Sequence, residues 1–354
     1  MELKRRTKTS IVDTLTNAQK FIFAPIAFCA LKTAFDLGII EFIGKNKADK
    51  NEIIEALNLD EYTFDTLTDV LEINEIIKNE NNVYSLTKLG EMFLYDDMTK
   101  ANFNFVKDVC YLGMNELTES FKERKPKGLY KVINGHKTIY SALTSLPEKM
   151  LKSWYEFDHL YSDNCFDEIF SIITKKYDSI YDIGGNTGKF EKVCLKNNKN
   201  FKITMMDLKE NIDNIKSNKD LLNCKFHCIN VLDEKPDYPL IQNSAILMSQ
   251  FLDCFSKQDI VKILSDLKRV MDKKSAIYIL EPYTDMQNFK GAKYSLLHSS
   301  LYFTSMANGV SKFYKLSEMK EMIKNAGLNI SSQFDNIGSF DYTLLEVNNA
   351  VVSN

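Results

Sequence analysis

Asp182-Ile183-Gly184-Gly185-Asn186-Thr187-Gly188 sets a carboxylate two residues ahead of a glycine-rich turn. Glycine takes backbone angles that other residues avoid and lets a ligand come close to the main chain. A carboxylate beside such a turn attracts a cationic ligand and repels a phosphate. The dinucleotide fingerprint G-x-G-x-x-G fails here: counted from Gly184, the third position is Asn186 and the sixth is Lys189. The Gly-Lys-Ser/Thr of a phosphate-binding loop is absent as well. Asp207 follows about 25 residues after Asp182, the spacing at which doubly wound folds place an acid against ribose hydroxyls. A charged hydrogen bond of that kind contributes about 1.5–3 kcal/mol. The plainer reading of Asp207 is a cap on the next helix. Asp253 and Glu281 stand further on, Glu281 directly after an apolar run.

These residues need a scaffold that ends its strands on one side. Ile180 to Ile183 reads as a strand, and Phe190, Val193 and Cys194 open a helical pattern after the glycines. Further strands are expected at Phe201–Met206 ending in Asp207, at Phe226–Leu232, at Ser244–Met248, at Ala276–Leu280 ending in Glu281, and at Tyr342–Val347. Helices are expected at Ile260–Met271 and at Leu316–Ala326, the latter closed by Gly327. Alternation of this kind means an α/β chain with a doubly wound, Rossmann-like sheet. After the third strand, Asn230 and Asp233 are alternative partners for an adenine amino group.

The N-terminal part differs in character. Residues 20–43 carry apolar side chains on more than one helical face, which is the pattern of a buried helix, often one buried against another subunit. Residues 50–95 read as helix, turn, helix and hairpin, a winged-helix pattern. From Asn51 to Glu75 there are eight carboxylates and neither Lys nor Arg. A helix that reads DNA must neutralise phosphates, so nucleic acid is not expected as a partner. The domains expected are 1–100, a helical connector over 101–175, and a nucleotide-type domain over 176–354.

Composition sets the outer limits. The 354 residues are 44% hydrophobic with a net charge of −3, enough to fill a sizeable core and too little charge to steer nucleic acid. Seven cysteines at irregular spacing suggest reduced thiols and a cytoplasmic location. No apolar run reaches the ~18 residues of a membrane span, and the basic start is separated from the apolar stretch by a polar one, so neither a membrane anchor nor a signal peptide is expected. Cys224, His227 and Cys228 have metal-ligand chemistry without a second ligand pair, so no metal is expected. His136 and His159 stand in no catalytic pattern.

Asp-x-Gly-x-Asn-x-Gly resembles motif I of S-adenosylmethionine-dependent methyltransferases, with Asn186 in the slot of the middle glycine. S-adenosylmethionine bears an ammonium and a sulfonium and no phosphate, in keeping with the acid at 182. Over roughly residues 20–347 the chain resembles the O-methyltransferases that carry an N-terminal winged-helix dimerisation domain, such as caffeic acid and acetylserotonin O-methyltransferases. The resemblance implies a homodimer, S-adenosyl-L-methionine as cofactor and a small aromatic acceptor. The expected cofactor residues are Asp182, Gly184, Gly185, Gly188, Asp207, Leu208, Asn230, Val231, Ser249 and Gln250.

One departure bears on the chemistry. The family's fourth strand is followed by His-Asp-Trp, whose His is the general base. Aligned on the following helix, Asp253 holds the His slot and Phe255 the Trp slot, while Glu281 stands where the partner acid ends the next strand. A second partner acid, expected near Ser311, is missing. An ordinary Asp lies about six pKa units below a phenol, so a full proton transfer between them would cost about 8 kcal/mol. Burial and a like-charged neighbour would narrow the gap. Holding donor and acceptor in line also accelerates transfer without a strong base. His298 is a replacement base if Tyr294, His298, Leu301 and Tyr302 share a helix face lining the acceptor pocket; the plainer reading is a core His. Tyr294, Tyr302 and Asn308 are the expected acceptor contacts, and Asp253, Glu281 and His298 the expected catalytic residues. Segments around Asp253 and Tyr302 resemble a bacterial subgroup found with aryl-polyene pigment genes. Oxygen is the expected target; ring carbon is the alternative, since some members without the His methylate carbon. Two other readings are a catalytically silent dimeric scaffold and a winged-helix transcription factor, the latter disfavoured by the acidic 51–75 stretch.

Overall fold

The computed structural model describes residues 10–349. The chain separates into two compact units, Met1–Lys107 and Asp108–Asn354. The stretch 101–175 anticipated as a connector is divided between them, its residues up to Lys107 in the first unit and the rest in the second.

The first unit begins with α1 (Ile11–Asp36), whose first turn is capped by the Ser10 hydroxyl accepting the Asp13 N–H at 3.0 Å. The helix continues through Pro25 and stops before Gly38, which takes φ +79° and starts α2 (Ile39–Lys45). A short β1 (Ala48–Asp49) precedes α3 (Lys50–Leu57) and α4 (Glu61–Ile73). Next come β2 (Ile77–Glu80) and β3 (Val83–Leu86), joined through Asn81 and Asn82. Both asparagines are left-handed, at φ 56° and 67°, as a two-residue hairpin turn requires. The expected order of helix, turn, helix and hairpin is thus present. α5 (Lys88–Tyr95) and α6 (Asp97–Asn104) complete the unit, around a core that includes Leu31, Ile39, Ile53, Phe64, Leu71 and Ile77.

Of the burial expected for α1, the described residues of this chain supply only the C-terminal part. The N-terminal two-thirds of α1 is not buried within this chain: Phe21 is 78% exposed and Ile26 61%. Only Ala30, Leu31 and Ala34, near its C-terminal end, are buried in the helix. At Phe21, Ile22, Phe23 and Ile26 the apolar pattern marks a face that the described residues leave exposed, not a core. The same helix is long and apolar enough to cross a membrane by length and composition alone.

The second unit opens with α7 (Leu117–Glu123), α8 (Leu129–Val132), α9 (Ile139–Ala142), α10 (Glu148–Ser162) and α11 (Phe166–Ile173). Then strand and helix alternate: β4 (Ser179–Ile183), α12 (Lys189–Asn197), β5 (Lys202–Asp207), α13 (Lys209–Ile215), β6 (Cys224–Cys228), β7 (Ala245–Ser249), α14 (Lys257–Val270) and β8 (Ala276–Glu281). After α15 (Lys290–Tyr302) and α16 (Leu316–Asn325), the chain ends its sheet with β9 (Leu328–Ile337) and β10 (Tyr342–Asn349). The sheet order is β6-β5-β4-β7-β8-β10-β9, parallel from β6 to β8 and antiparallel beyond. The chain winds outward from β4 on one side and from β7 on the other. The crevice between their C-terminal ends is the topological switch point where such sheets bind ligands.

Alternate side chains of the central strands feed two cores. Ile246, Met248, Ile277 and Ile279 pack with Ile263, Leu264 and Leu267 of α14 and Met319 of α16. Ala245, Leu247, Tyr278 and Leu280 pack on the other face with Ile169, Phe170 and Ile173 of α11 and Phe190 of α12. Two strand expectations need correcting. The third strand ends at Cys228 and not at Leu232, because its ladder partner β5 runs out at Asp207. β9 escaped notice because it is an edge strand whose residues alternate between half-buried and exposed positions, with a buried residue at each end. The burial on both faces predicts that Ile279→Ala costs about 2–5 kcal/mol. Exposed Asn329→Ala should change stability by less than about 0.5 kcal/mol, both measured by urea unfolding.

Candidate cofactor and acceptor site

β4 delivers Asp182 and the glycine turn to the switch-point crevice. Gly184 takes φ +84°, and its N–H donates to the Met206 carbonyl at 2.8 Å, which stitches the turn to β5. A Cβ on Gly184 would meet Phe251 Cδ2 at 2.3 Å, and one on Gly188, at φ +74°, would meet Leu221 Cδ1 at 2.5 Å. Asn186 has φ 51°, a left-handed angle that Asn tolerates better than most residues, so it can stand where the related motif has glycine. At Gly185 a Cβ would press on Glu191 Oε1 at 2.7 Å.

Glu191 is the first residue the sequence did not single out. It is fully buried in the first turns of α12, with both carboxyl oxygens lacking a hydrogen-bond donor. Burial and the neighbouring Asp182 hold its carboxyl protonated well above the usual range. Asp182 beside it is 3% exposed and is itself raised mainly by burial. Asp207 ties the loop together: Oδ2 accepts the Asn186 N–H at 2.9 Å, and Oδ1 accepts the Leu208 N–H at 2.7 Å and the Asn211 amide at 2.8 Å. Asn230 and Asp233 are bonded to each other, Nδ2 to Oδ1 at 2.8 Å, beside the buried Val231. Both alternatives for an adenine contact therefore lie in one turn.

At the ends of β7 and β8 the polar groups converge. Ser249 Oγ, Gln250 Nε2 and Glu281 Oε2 are buried without a partner. Gln250 is left-handed at φ 48°, and its Oε1 accepts the Tyr342 hydroxyl at 2.6 Å. Glu281 Oε1 accepts the main-chain N–H groups of Phe251, Leu252 and Asp253 at 3.2, 2.8 and 3.4 Å. It thus fixes the short turn that carries Asp253. Asp253 is 5% exposed, and burial raises its carboxyl above the ordinary Asp range. Asn308 Nδ2 holds the Cys254 carbonyl and the Ser311 hydroxyl, both at 2.8 Å, so it positions the same turn from the other side.

His298 does not join this group. It is exposed, its ring stacks on Tyr294 at 3.9 Å, and its Nδ1 lies 2.8 Å from the Tyr294 carbonyl. Tyr294 is 60% exposed, whereas Tyr302 is buried and its hydroxyl accepts the Trp154 indole N–H at 2.7 Å. Steps of four residues drift by about 40° each on a helix of 3.6 residues per turn. Two steps from Tyr294 to Tyr302 turn the face far enough to separate an outer residue from an inner one.

α10 supplies what the sequence left out. Asn186 Nδ2 donates to Asp158 Oδ2 at 3.2 Å, His159 Nε2 lies 3.2 Å from Thr187 Oγ1, and Lys189 Nζ pairs with Asp163 at 2.5 Å just past the helix end. Asp158, His159 and Asp163 thus meet the glycine turn and the start of α12 from the C-terminal end of α10.

The residues present fit a cationic donor. They supply several buried carboxyl groups, a turn with glycines that no side chain could replace, and unpartnered polar atoms at the strand ends. Residues 114–329 match the O-methyltransferase domain family. Cephaeline 6′-O-methyltransferase of Carapichea ipecacuanha is 24% identical over 301 residues, which cover 80% of this chain and 82% of that protein. Among solved structures, mitomycin 7-O-methyltransferase matches with a TM-score of 0.73 at 15% identity, covering 96% of this chain and 98% of that one. Human N-acetylserotonin methyltransferase in complex with S-adenosylmethionine matches with a TM-score of 0.65 at 13% identity, covering 98% and 100%. The chain belongs to the O-methyltransferase domain family. It is an O-methyltransferase dependent on S-adenosyl-L-methionine.

Gly184→Ala should weaken cofactor binding by more than about tenfold, since the left-handed angle and Phe251 both oppose a Cβ. Calorimetric titration with S-adenosylhomocysteine measures it.

Proposed function

We propose that this chain methylates a hydroxyl of a small phenolic acceptor, with Asp253 taking the proton. The observation that carries the reading is the turn after β7: a buried carboxyl in the slot of the family's base, held by Glu281 from the end of β8. S-adenosylmethionine supplies a methyl group already activated on a positively charged sulfur. The protein's share is to hold the acceptor in line, exclude water and receive one proton. Asp253 is suited to the last task because burial lifts its carboxyl toward the acidity of a phenol, narrowing a gap of roughly six units. Glu281 acts through the turn it fixes, and Asn308 does the same through Cys254.

In this reading Asp182 and Glu191 lie at the cofactor's ammonium end, Asp207 and Leu208 at its ribose, and Asn230 and Val231 at its adenine. Gly185, Gly188, Ser249 and Gln250 form the rest of the cradle. Tyr302 contributes the aromatic wall of the acceptor site, backed by Trp154. His298 and Tyr294 have no part in it within this chain. Methylation of a ring carbon beside a phenol is the second reading, favoured by the absence of a histidine at position 253.

We further propose a homodimer formed through the first unit. Phe21, Ile22, Phe23 and Ile26 leave a broad apolar face on α1, which a second copy would cover. Winged helix is the description that best suits the α3–α4–hairpin arrangement, used here as a scaffold, since its acidic surface suits no nucleic acid.

Mass spectrometry of phenolic acceptors incubated with the cofactor should detect one added methyl per turnover, and fragmentation should place it on oxygen. Asp253→Ala should lower turnover by about 100-fold or more, and a loss under about threefold would remove Asp253 from the reaction. A base must be unprotonated to work, so wild-type turnover should rise with pH until the raised pKa of Asp253 is passed, then level off. Light scattering should report a dimer that Phe21→Glu with Ile26→Glu converts to monomer.

A further inference from the structure

Four features of the cofactor cradle and acceptor wall meet at one residue, Asp158. Its Oδ2 accepts the Asn186 amide of the glycine turn at 3.2 Å. Its charge bears on Asp253, the residue at the acceptor end of β7, and on the buried Tyr302 hydroxyl. It also bears on Tyr155, which in turn feels Asp207. The transferred methyl has to lie where cradle and acceptor wall meet; α10 reaches both within one turn, through Trp154 bonded to the Tyr302 hydroxyl at 2.7 Å and Asp158 bonded to Asn186 at 3.2 Å.

The other carboxyls are differently occupied. Asp207 spends both oxygens on main-chain and amide donors. Asp182 is 3% exposed and lies against the protonated Glu191. Asp253 is 5% exposed and lies 3.4 Å from the Cys254 thiol. Asp158 is only half-buried, and Asn186 is the one side-chain donor it has among the described residues. Lys189, the nearest cation, pairs with Asp163 instead.

Resting on the reading that this crevice binds S-adenosylmethionine, we infer that Asp158 is the carboxylate that recognises the cofactor's positive sulfur. It thereby sets the preference for the sulfonium donor over the product, whose sulfur is neutral. S-adenosylmethionine bears one more positive charge than S-adenosylhomocysteine, and that charge is on the sulfur. A carboxylate at the junction attracts the first and is indifferent to the second, so it holds the donor and lets the product leave.

The state of Asp158 follows from its surroundings. Burial and Asp163 push its carboxyl up to about 7, against the Asn186 hydrogen bond and Lys189, which pull it down. The Asp253 carboxyl opposes its ionisation as well, while Tyr155 and Tyr302 face it as neutral hydroxyls. A cation favours the ionised form, so donor binding lowers this pKa and releases a proton to solvent near neutrality. By linkage, donor affinity rises as pH rises through the neutral range, and product affinity stays flatter.

The test is calorimetric titration of the whole protein with S-adenosylmethionine and with S-adenosylhomocysteine, at pH 6 and pH 8, in two buffers of different ionisation enthalpy. Wild type should release protons on binding the donor and far fewer on binding the product. Donor affinity should rise roughly tenfold between the two pH values. Asp158→Asn should weaken the donor roughly tenfold at pH 8, flatten its pH dependence and leave the product within about twofold. Asp158→Glu should restore the donor preference. If Asp158→Asn weakens donor and product equally, the residue merely braces the glycine turn through Asn186 and the inference is wrong. It is equally wrong if wild type releases the same protons with either ligand, a comparison that needs no variant to fold. Wild type that binds neither ligand would instead overturn the cofactor reading itself.

Discussion

Carboxyl groups brought together without cations are the constraint on which this site depends. Asp158, Asp182, Glu191, Asp253 and Glu281 all lie around one crevice, and none forms a salt bridge with Lys or Arg among the described residues. Burying an unpaired ion costs several kcal/mol, so the protein alone answers by holding protons, and each of these groups is shifted toward its neutral form by burial. A ligand with positive charge offers the other resolution. It lets some of these acids ionise, and the same electrostatics that disfavour the acids alone then favour the complex. A phosphate-bearing cofactor would make the imbalance worse.

The sheet makes this convergence possible. Parallel strands β4, β5, β7 and β8 end on the same side, so Asp182, Asp207, Ser249 and Glu281 arrive together although a hundred residues separate the first from the last. Two apolar layers hold those strands rigid, one against α14 and α16 and the other against α11 and α12. Rigid strand ends then fix the softer pieces: Glu281 gathers three N–H groups of the turn bearing Asp253, and Asp207 gathers the glycine loop. Helix α10, outside the sheet, closes on the loop through Asn186 and Thr187.

Much of this was legible in the residues. Short apolar runs, closed by glycines after β4 and by an acid at β5 and β8, marked these strands nearly to the residue, because central strands need apolar residues on both faces. β9 was not legible, since an edge strand exposed along most of its length needs few apolar residues. Asp182, Asp207 and Glu281 could be found because each lies at the C-terminal end of its own strand. Asp158 and Glu191 could not, because a polar residue on a helix says nothing about which loop it meets in space. His298 misled for a related reason: helical spacing groups residues on a face without saying whether that face turns inward. On α1, likewise, apolar residues all round the helix signalled a need for cover without saying that the described residues leave Phe21, Ile22, Phe23 and Ile26 exposed.

The central claim, that buried acids around a glycine turn select a positively charged methyl donor, is tested most directly by calorimetry on the purified wild-type protein. S-adenosylmethionine should bind at a single site with a measurable heat, and NADH and ATP, which bring phosphates to the same crevice, should give none. Clean titration by NADH or ATP, with no heat from S-adenosylmethionine, would contradict the account.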